Sequence, residues 1–309
     1  MKTFIAVFTI VLIIAMIVSL YTLFLGKNRD RCVIKLPVIC LMEPPSSIDL
    51  MYCLRKMAKT RKKNIYLDLA KVERFNFEAY IVIMAQAEKT IESDKKVYLW
   101  ARSPLSRQVR KTLMSPSNNS STYHQHLTGD KSVFIRMSEL SIPALDKVEK
   151  DLRKIGIRDY FDLNTMITEI IGNALEHGIK GRNINWWMHH YVEKGVMRII
   201  FVDMGLGILA SYRNVGIGQK QSDFKLILDV LRGKLGSSTK EKNRGRGLPQ
   251  IGHMARNNFI SDFVLTTNGV TVRLINNEYV LETHPDFAGT YYSWTVKKEN
   301  FTIWRTSII

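Results

Sequence analysis

The sequence predicts an α/β protein in three parts: an N-terminal transmembrane helix, a small α/β unit, and a two-layer α/β sandwich on a mixed sheet. Three observations carry this. Residues 4–25 are uncharged throughout, strands alternate with helices from 32 to 102, and beyond 131 two helical stretches precede a run of strands. A chain of 309 residues suffices for about two ordinary domains. With 46% hydrophobic and 24% charged residues its composition is globular, which excludes wholesale disorder.

The first segment, "FIAVFTIVLIIAMIVSLYTLFL" from Phe4 to Leu25, is long enough as a helix to span the roughly 30 Å hydrocarbon layer. It exceeds the apolar core of about 7 to 15 residues expected of a cleaved signal peptide, and no small-residue cleavage site follows. Only Lys2 precedes it, whereas Lys27, Arg29, Arg31 and Lys35 follow. The positive-inside bias therefore predicts a single-pass anchor over residues 1–26, with the remainder in the cytoplasm. In that reducing compartment Cys32, Cys40 and Cys53, which lack metal-ligand spacing, are expected to be free thiols.

Residues 32–102 form the small unit. "CVIKLPVICL" reads as a strand, "SSIDLMYCLRKMAKTRK" as a helix, "NIYLDLA" as an alternating strand, "FNFEAYIVIMAQAEKTIES" as a helix and "KKVYLW" as a strand. Residues 103–130 are rich in Ser, Asn and Pro and read as a linker, in which His124 and His126 lack a third ligand and read as loop histidines.

From 131 to 309 the pattern is a helix, "SIPALDKVEKDLRKIG", then a second helix ending in "EIIGNALEHGI", then strands "INWWMHHYV" and "GVMRIIFVD". A Gly-rich charged stretch and a short helix lead to strands "FVLTTN", "VTVRLI", "YVLET" and "TYYSWTV". In the second helix Leu163, Ile167, Ile170, Ile171, Ala174 and Leu175 mark the buried stripe. Glu169, Asn173 and Glu176 fall together on the opposite side. A solvent-facing stripe looks the same, but Asn is a poor mid-helix residue, and a second polar signal closes the next strand.

That signal is "FVDMGLGI". Asp203 stands at the end of an apolar strand, and Gly205 and Gly207 let a flat ligand approach the backbone. A tight turn is the simpler account of this motif alone. A third signal, "NRGRGLPQIGHMARN", places Gly245 and Gly247 before a helix whose first turn carries Pro249, an arrangement that suits an anion. Arg244, Arg246, Lys240 and Lys242 add positive charge, as any basic surface loop would. Finally, "FAGTYYSWTV" sets Gly289 and Thr290 at a strand start.

These four segments, in this order, resemble the GHKL or Bergerat-fold ATPases, the superfamily of gyrase, MutL and the histidine kinases. The resemblance covers about 150 to 298 and implies ATP and Mg²⁺ as cofactors. It implies that Asn173 ligates Mg²⁺ and that Glu169 orients or deprotonates the attacking group. Asp203 would accept the adenine amino group, Gly205 and Gly207 would give the base room, and Thr290 would assist. Arg244, Gly245, Arg246, Gly247 and Leu248 would close on the phosphates, and residues 208–244 would form a mobile lid. Within the superfamily "NALEHG" looks most like the anti-sigma-factor serine kinases. Histidine kinases are the rival, but no heptad-bearing phosphoacceptor helix precedes the domain. The line "IYLDLAKVERFNFEAYIVIMA" resembles a STAS domain, the usual substrate of such kinases; where partner-switching STAS proteins carry a phosphorylatable serine, this chain has Phe75, Asn76, Phe77 and Glu78.

The resemblance thus implies a membrane-anchored regulatory protein kinase or ATPase with a protein partner, or else a non-catalytic switch driven by ATP. The net charge of +17 raises lipid and nucleic-acid binding as a third class. Its basic residues are dispersed and lack an interleaved aromatic pattern, which argues against nucleic acid as the main partner.

Overall fold

A computed structural model of the chain describes residues 30–42, 46–100, 133–137, 140, 142–178, 185–235 and 247–301. The expected anchor at 4–25, the linker at 103–130 with its two histidines, and the basic stretch from Lys240 to Arg246 lie outside the described residues. Among the described residues no helix is long and apolar enough to cross a membrane.

The protein is mixed α/β, with one parallel and one antiparallel main sheet. The parallel sheet, in the order β1-β3-β5, comprises β1 (Arg31–Lys35), β3 (Asn64–Asp68) and β5 (Lys96–Trp100). Helices α1 (Ser46–Lys59) and α2 (Phe77–Glu92) make the crossovers that parallel strands require. The strand expected over 32–41 is divided around Pro37, which cannot donate to a ladder, and a short β2 (Ile39–Cys40) pairs instead with β4 (Arg74–Phe75). Asn76 begins α2 by accepting the Ala79 N–H at 2.9 Å. All three cysteines are free, and burial raises the Cys40 thiol to about 12, which keeps it inert.

The second sheet has the order β6-β7-β8-β10-β9: β6 (Val133–Met137), β7 (Trp186–Glu193), β8 (Val196–Asp203), β9 (Ser261–Ile275) and β10 (Glu278–Lys297). Every pair in it is antiparallel, so the mixed sheet expected here is corrected. Tight turns explain why: Lys194 and Gly195 (φ 50° and 76°) join β7 to β8, and Asn276 and Asn277 (φ 50° and 64°) join β9 to β10. The four short strands expected after residue 260 fuse into this one long hairpin, bent at Asn268 (φ 50°) and by register shifts around Phe287.

Helices α3 (Ile142–Lys154), α4 (Phe161–Asn173), α5 (Ile208–Asn214), α6 (Asp223–Leu231) and α7 (Gly247–Arg256) complete this unit. The lid expected over 208–244 is corrected in two stretches, and residues 236–244 of it lie outside the described residues. Residues 208–214 and 223–231 are helices whose Leu209, Tyr212, Leu226, Ile227, Val230 and Leu231 are buried. That apolar spacing anchors them to the core.

The expected two-layer arrangement is also corrected: the antiparallel sheet is covered on both faces. Every residue from Ile199 to Asp203 is buried, which one covered face cannot achieve in a strand whose side chains alternate. On the front, α3 packs on β7, and α5, α6 and α7 on β9. On the back, α1 packs on β10 and α2 on β7 and β8. Polar ties cross the back face: Arg198 pairs with Glu78 at 2.6 Å, and the Trp187 indole donates to Glu88 at 2.8 Å. Helix α2 is consequently buried nearly all round, between the two sheets.

Candidate functional site

The candidate residues gather in two groups. The first is at the end of β8. Asp203 closes that strand opposite Thr290 of β10, and each is only 5% exposed. The chain then turns, and the Gly205 N–H donates back to Asp203 Oδ1 at 2.9 Å. Burial pushes the Asp203 carboxyl up to about 6, opposed by the Gly205 N–H, the Thr290 hydroxyl and the positive charge of Lys89. A carboxylate held in this way is an acceptor with few competing partners.

Two glycines let backbones pass at close range here. A Cβ on Gly289 (φ 146°) would lie 2.1 Å from the Asp203 carbonyl oxygen, so β8 and β10 can meet at this height only without a side chain. Gly207 (φ 81°) precedes α5, and a Cβ there would strike the Asn268 side chain. Both mark close packing around the buried acid, Gly289 against β8 and Gly207 against Asn268.

Two residues that the sequence reading missed hold this turn. Thr267 Oγ1 accepts the Ile208 N–H at 2.8 Å and donates to the Gly289 carbonyl at 3.1 Å. Asn268 Oδ1 accepts the Leu209 and Ala210 N–H groups, and its Nδ2 donates to the Leu206 carbonyl at 3.0 Å. They cap α5 from a neighbouring strand, supplying what a local N-cap side chain usually does. The "TTN" of the expected strand was the available signal, since Asn tolerates a left-handed backbone.

The second group joins α4 to the start of α7. Glu169 is exposed on α4, and Asn173 is that helix's last residue. Ala174–Gly178 continue as one π turn, which resets the direction of Glu176 from the spacing assumed for a regular α-helix. Gly247 opens α7 in direct apposition to Glu169; a Cβ on it would approach the carboxylate Oε2 to 2.8 Å and Cβ to 2.9 Å. Leu248 packs on the core behind them, and Pro249 occupies the first turn. Arg244, Gly245 and Arg246 lie outside the described residues. Among the described residues no group of three or more His, Cys, Asp or Glu side chains is arranged to hold a metal.

The structure therefore brings Asp203, Gly205, Gly207 and Thr290 together, and separately Glu169 with Gly247 beside Asn173's end of α4. No protein-family model matches the chain, and no curated protein matches it either.

Proposed function

We propose that residues 131–309 bind Mg·ATP in the manner of the GHKL ATPases, as the regulatory, kinase-like or ATPase part of a membrane-anchored protein whose globular units face the cytoplasm. The observation that carries this reading is the buried Asp203 beside Thr290, at a strand end followed by the Gly205–Gly207 turn. A buried carboxylate at a strand end is suited to accept the exocyclic amine of adenine. The first turn of α7, next to Glu169, would favour phosphate.

Mg·ATP, when bound, supplies the transferable phosphoryl group. Asn173 would offer one protein oxygen to the divalent ion, which takes its other ligands from phosphate and water. Glu169, one helical turn earlier, would orient or deprotonate the attacking water or hydroxyl. Gly247 leaves that carboxylate space beside the helix start.

A non-catalytic ATP switch is the second reading, and one observation favours it. Where a partner-switching STAS domain carries its phosphorylatable serine, this chain has Phe75, Asn76, Phe77 and Glu78, of which Glu78 is buried and paired with Arg198. The chain's own STAS-like unit therefore offers no phosphoacceptor there, and any acceptor would belong to a partner.

Binding and turnover of Mg·ATP by the full chain test both readings. Affinity should collapse in Asn173→Ala and Asp203→Asn, and unchanged affinity in both would remove the site. Glu169→Ala should abolish turnover with binding kept if the protein is an enzyme. Absence of turnover in wild type and variant alike, with binding intact, would establish the switch.

A further inference from the structure

Lys89 lies near the end of α2, in the small α/β unit, far along the chain from the candidate site. Its ammonium nevertheless donates to the Gly205 carbonyl at 3.3 Å and lies 3.5 Å from the Ala288 carbonyl. These two carbonyls belong to the two backbone segments that frame Asp203 and Thr290. Helix α2 lies along the back of β7 and β8: Glu78 at its start meets Arg198, Glu88 meets Trp187, and Lys89 reaches past the strand end to the turn. The helix is thus fixed at several points, and the lysine is aimed by them rather than free to wander.

We propose that Lys89 is a positioning residue for the base end of the nucleotide site, clamping the Gly205 turn to the Ala288–Thr290 segment. Through it the small unit controls how well that site accepts adenine. This rests on the nucleotide reading above. A cation bonded to a carbonyl on each segment holds them at fixed spacing on either side of the Asp203–Thr290 pair. The same charge favours the ionised carboxylate, the form that accepts hydrogen bonds only. The other groups facing Asp203 are Thr290 and Tyr292 of β10, with Tyr212 of α5 beside Tyr292. Burial keeps both phenols protonated, since it raises them above their ordinary range. Within this set Lys89 alone carries positive charge. An unbound nucleotide pocket and the small unit are coupled in both directions, so occupation of one is felt by the other.

The test compares the full wild-type chain with Lys89→Met, which keeps the length of the side chain, and Lys89→Arg, which keeps the charge. Amide hydrogen exchange without nucleotide should speed up about ten-fold over residues 203–207 and 288–291 in Lys89→Met, with the strand interiors unchanged. Mg·ATP affinity should weaken by about ten-fold, and its acidic limb should move to higher pH as the carboxylate loses the neighbouring charge. Inorganic tripolyphosphate, which has no base, should bind both proteins alike. Lys89→Arg should restore exchange, affinity and limb together. Unchanged exchange and an unmoved limb in Lys89→Met would overturn the clamp, as would an equal loss of tripolyphosphate binding. Faster exchange in a chain whose wild type binds no Mg·ATP would refute the nucleotide reading and uphold the clamp.

Discussion

Replacing Gly289 by alanine is a direct test of how the site is built. The new Cβ would stand 2.1 Å from the Asp203 carbonyl oxygen and 3.0 Å from the Met204 Cα, both backbone atoms that no rotamer change can move aside. Relief even to 3.0 Å requires β8 and β10 to part by about 0.9 Å at the Asp203–Thr290 pair. A ladder hydrogen bond stretched that far is lost, at about 1 kcal/mol each. With two such bonds and roughly 1 kcal/mol of backbone strain at φ 146°, the variant should lose about 3 kcal/mol. For a protein of this size that lowers Tm by roughly 5 °C. Mg·ATP affinity should fall as well, because the parting separates Thr290 from Asp203. The control is Gly195→Ala in the β7–β8 turn, where φ is 76° but no atom lies within 4 Å of the new Cβ. It should cost about 1 kcal/mol and leave nucleotide affinity alone. Thermal unfolding followed by circular dichroism, with affinity by calorimetry, reads both. If Gly289→Ala behaves like Gly195→Ala in both measurements, close strand approach is not what the site requires.

Gly172 in α4 has nothing within 4 Å of a built Cβ, so Gly172→Ala should stabilise the protein by about 1 kcal/mol, seen as a higher urea midpoint; a lower midpoint would show that this helix face is not open. Asp203→Asn should stabilise the nucleotide-free protein while destroying Mg·ATP binding. The folded carboxyl is raised to about 6, so ionising it costs stability progressively as pH rises from its ordinary value near 3.8 to 6, and the full cost, roughly 3 kcal/mol, stands above that. The stability gap between variant and wild type should be widest at pH 8 and close by pH 4; equal stability at pH 8 would contradict the burial of a charge. Asp151 has the opposite sign. A hydrogen bond from His190 at 3.1 Å is the largest cause holding its carboxyl down at about 2, with Lys154 assisting. The resulting roughly 2 kcal/mol is present above about pH 4 and disappears as pH falls towards 2. Denaturant unfolding of Asp151→Asn should therefore change less between pH 5 and 2.5 than wild type does, and an identical fall in both would count against the pair.

What the sequence disclosed follows from where the signals are local. Asp203 and its glycines were legible because a charged residue closing an apolar strand is anomalous within a window of a few residues. Helix α2 was legible from its period, although Asn76, read as part of it, stands before it as the cap. Strand β6 was not, because five residues beside a Ser- and Asn-rich run give too short a pattern. Helix α6 was overlooked although "DFKLILDVL" carries Leu226, Ile227, Val230 and Leu231 at helical spacing; the family resemblance assigned that interval to a lid, and local physics prevailed. The support from Thr267 and Asn268 depends on β9 lying beside the Gly207 turn, a long-range fact of which "TTN" shows only that Asn suits a bend. The covered back face left one partial sign: β7 and β8 do not alternate cleanly between apolar and polar, as strands buried on both faces do not. His189, His190 and Arg198 interrupted that run and disguised it.

The linker at 103–130 is a boundary in composition, but the packing does not respect it. A domain is a unit with its own core, and α2 belongs to two cores at once. In the parallel sheet's unit it packs on β5 and α1, while Trp187, His189 and Arg198 meet it from the antiparallel sheet. Removing the small unit would strip the back of β7, β8 and β10 and leave Arg198 without Glu78, a buried charge losing its partner. It would also release the Gly205 and Ala288 carbonyls from Lys89. The site in front of the sheet and the unit behind it are thus linked by shared burial as well as by covalent chain. A signal that loosens α2 has a short physical route to Asp203: one helix, one lysine and two carbonyls.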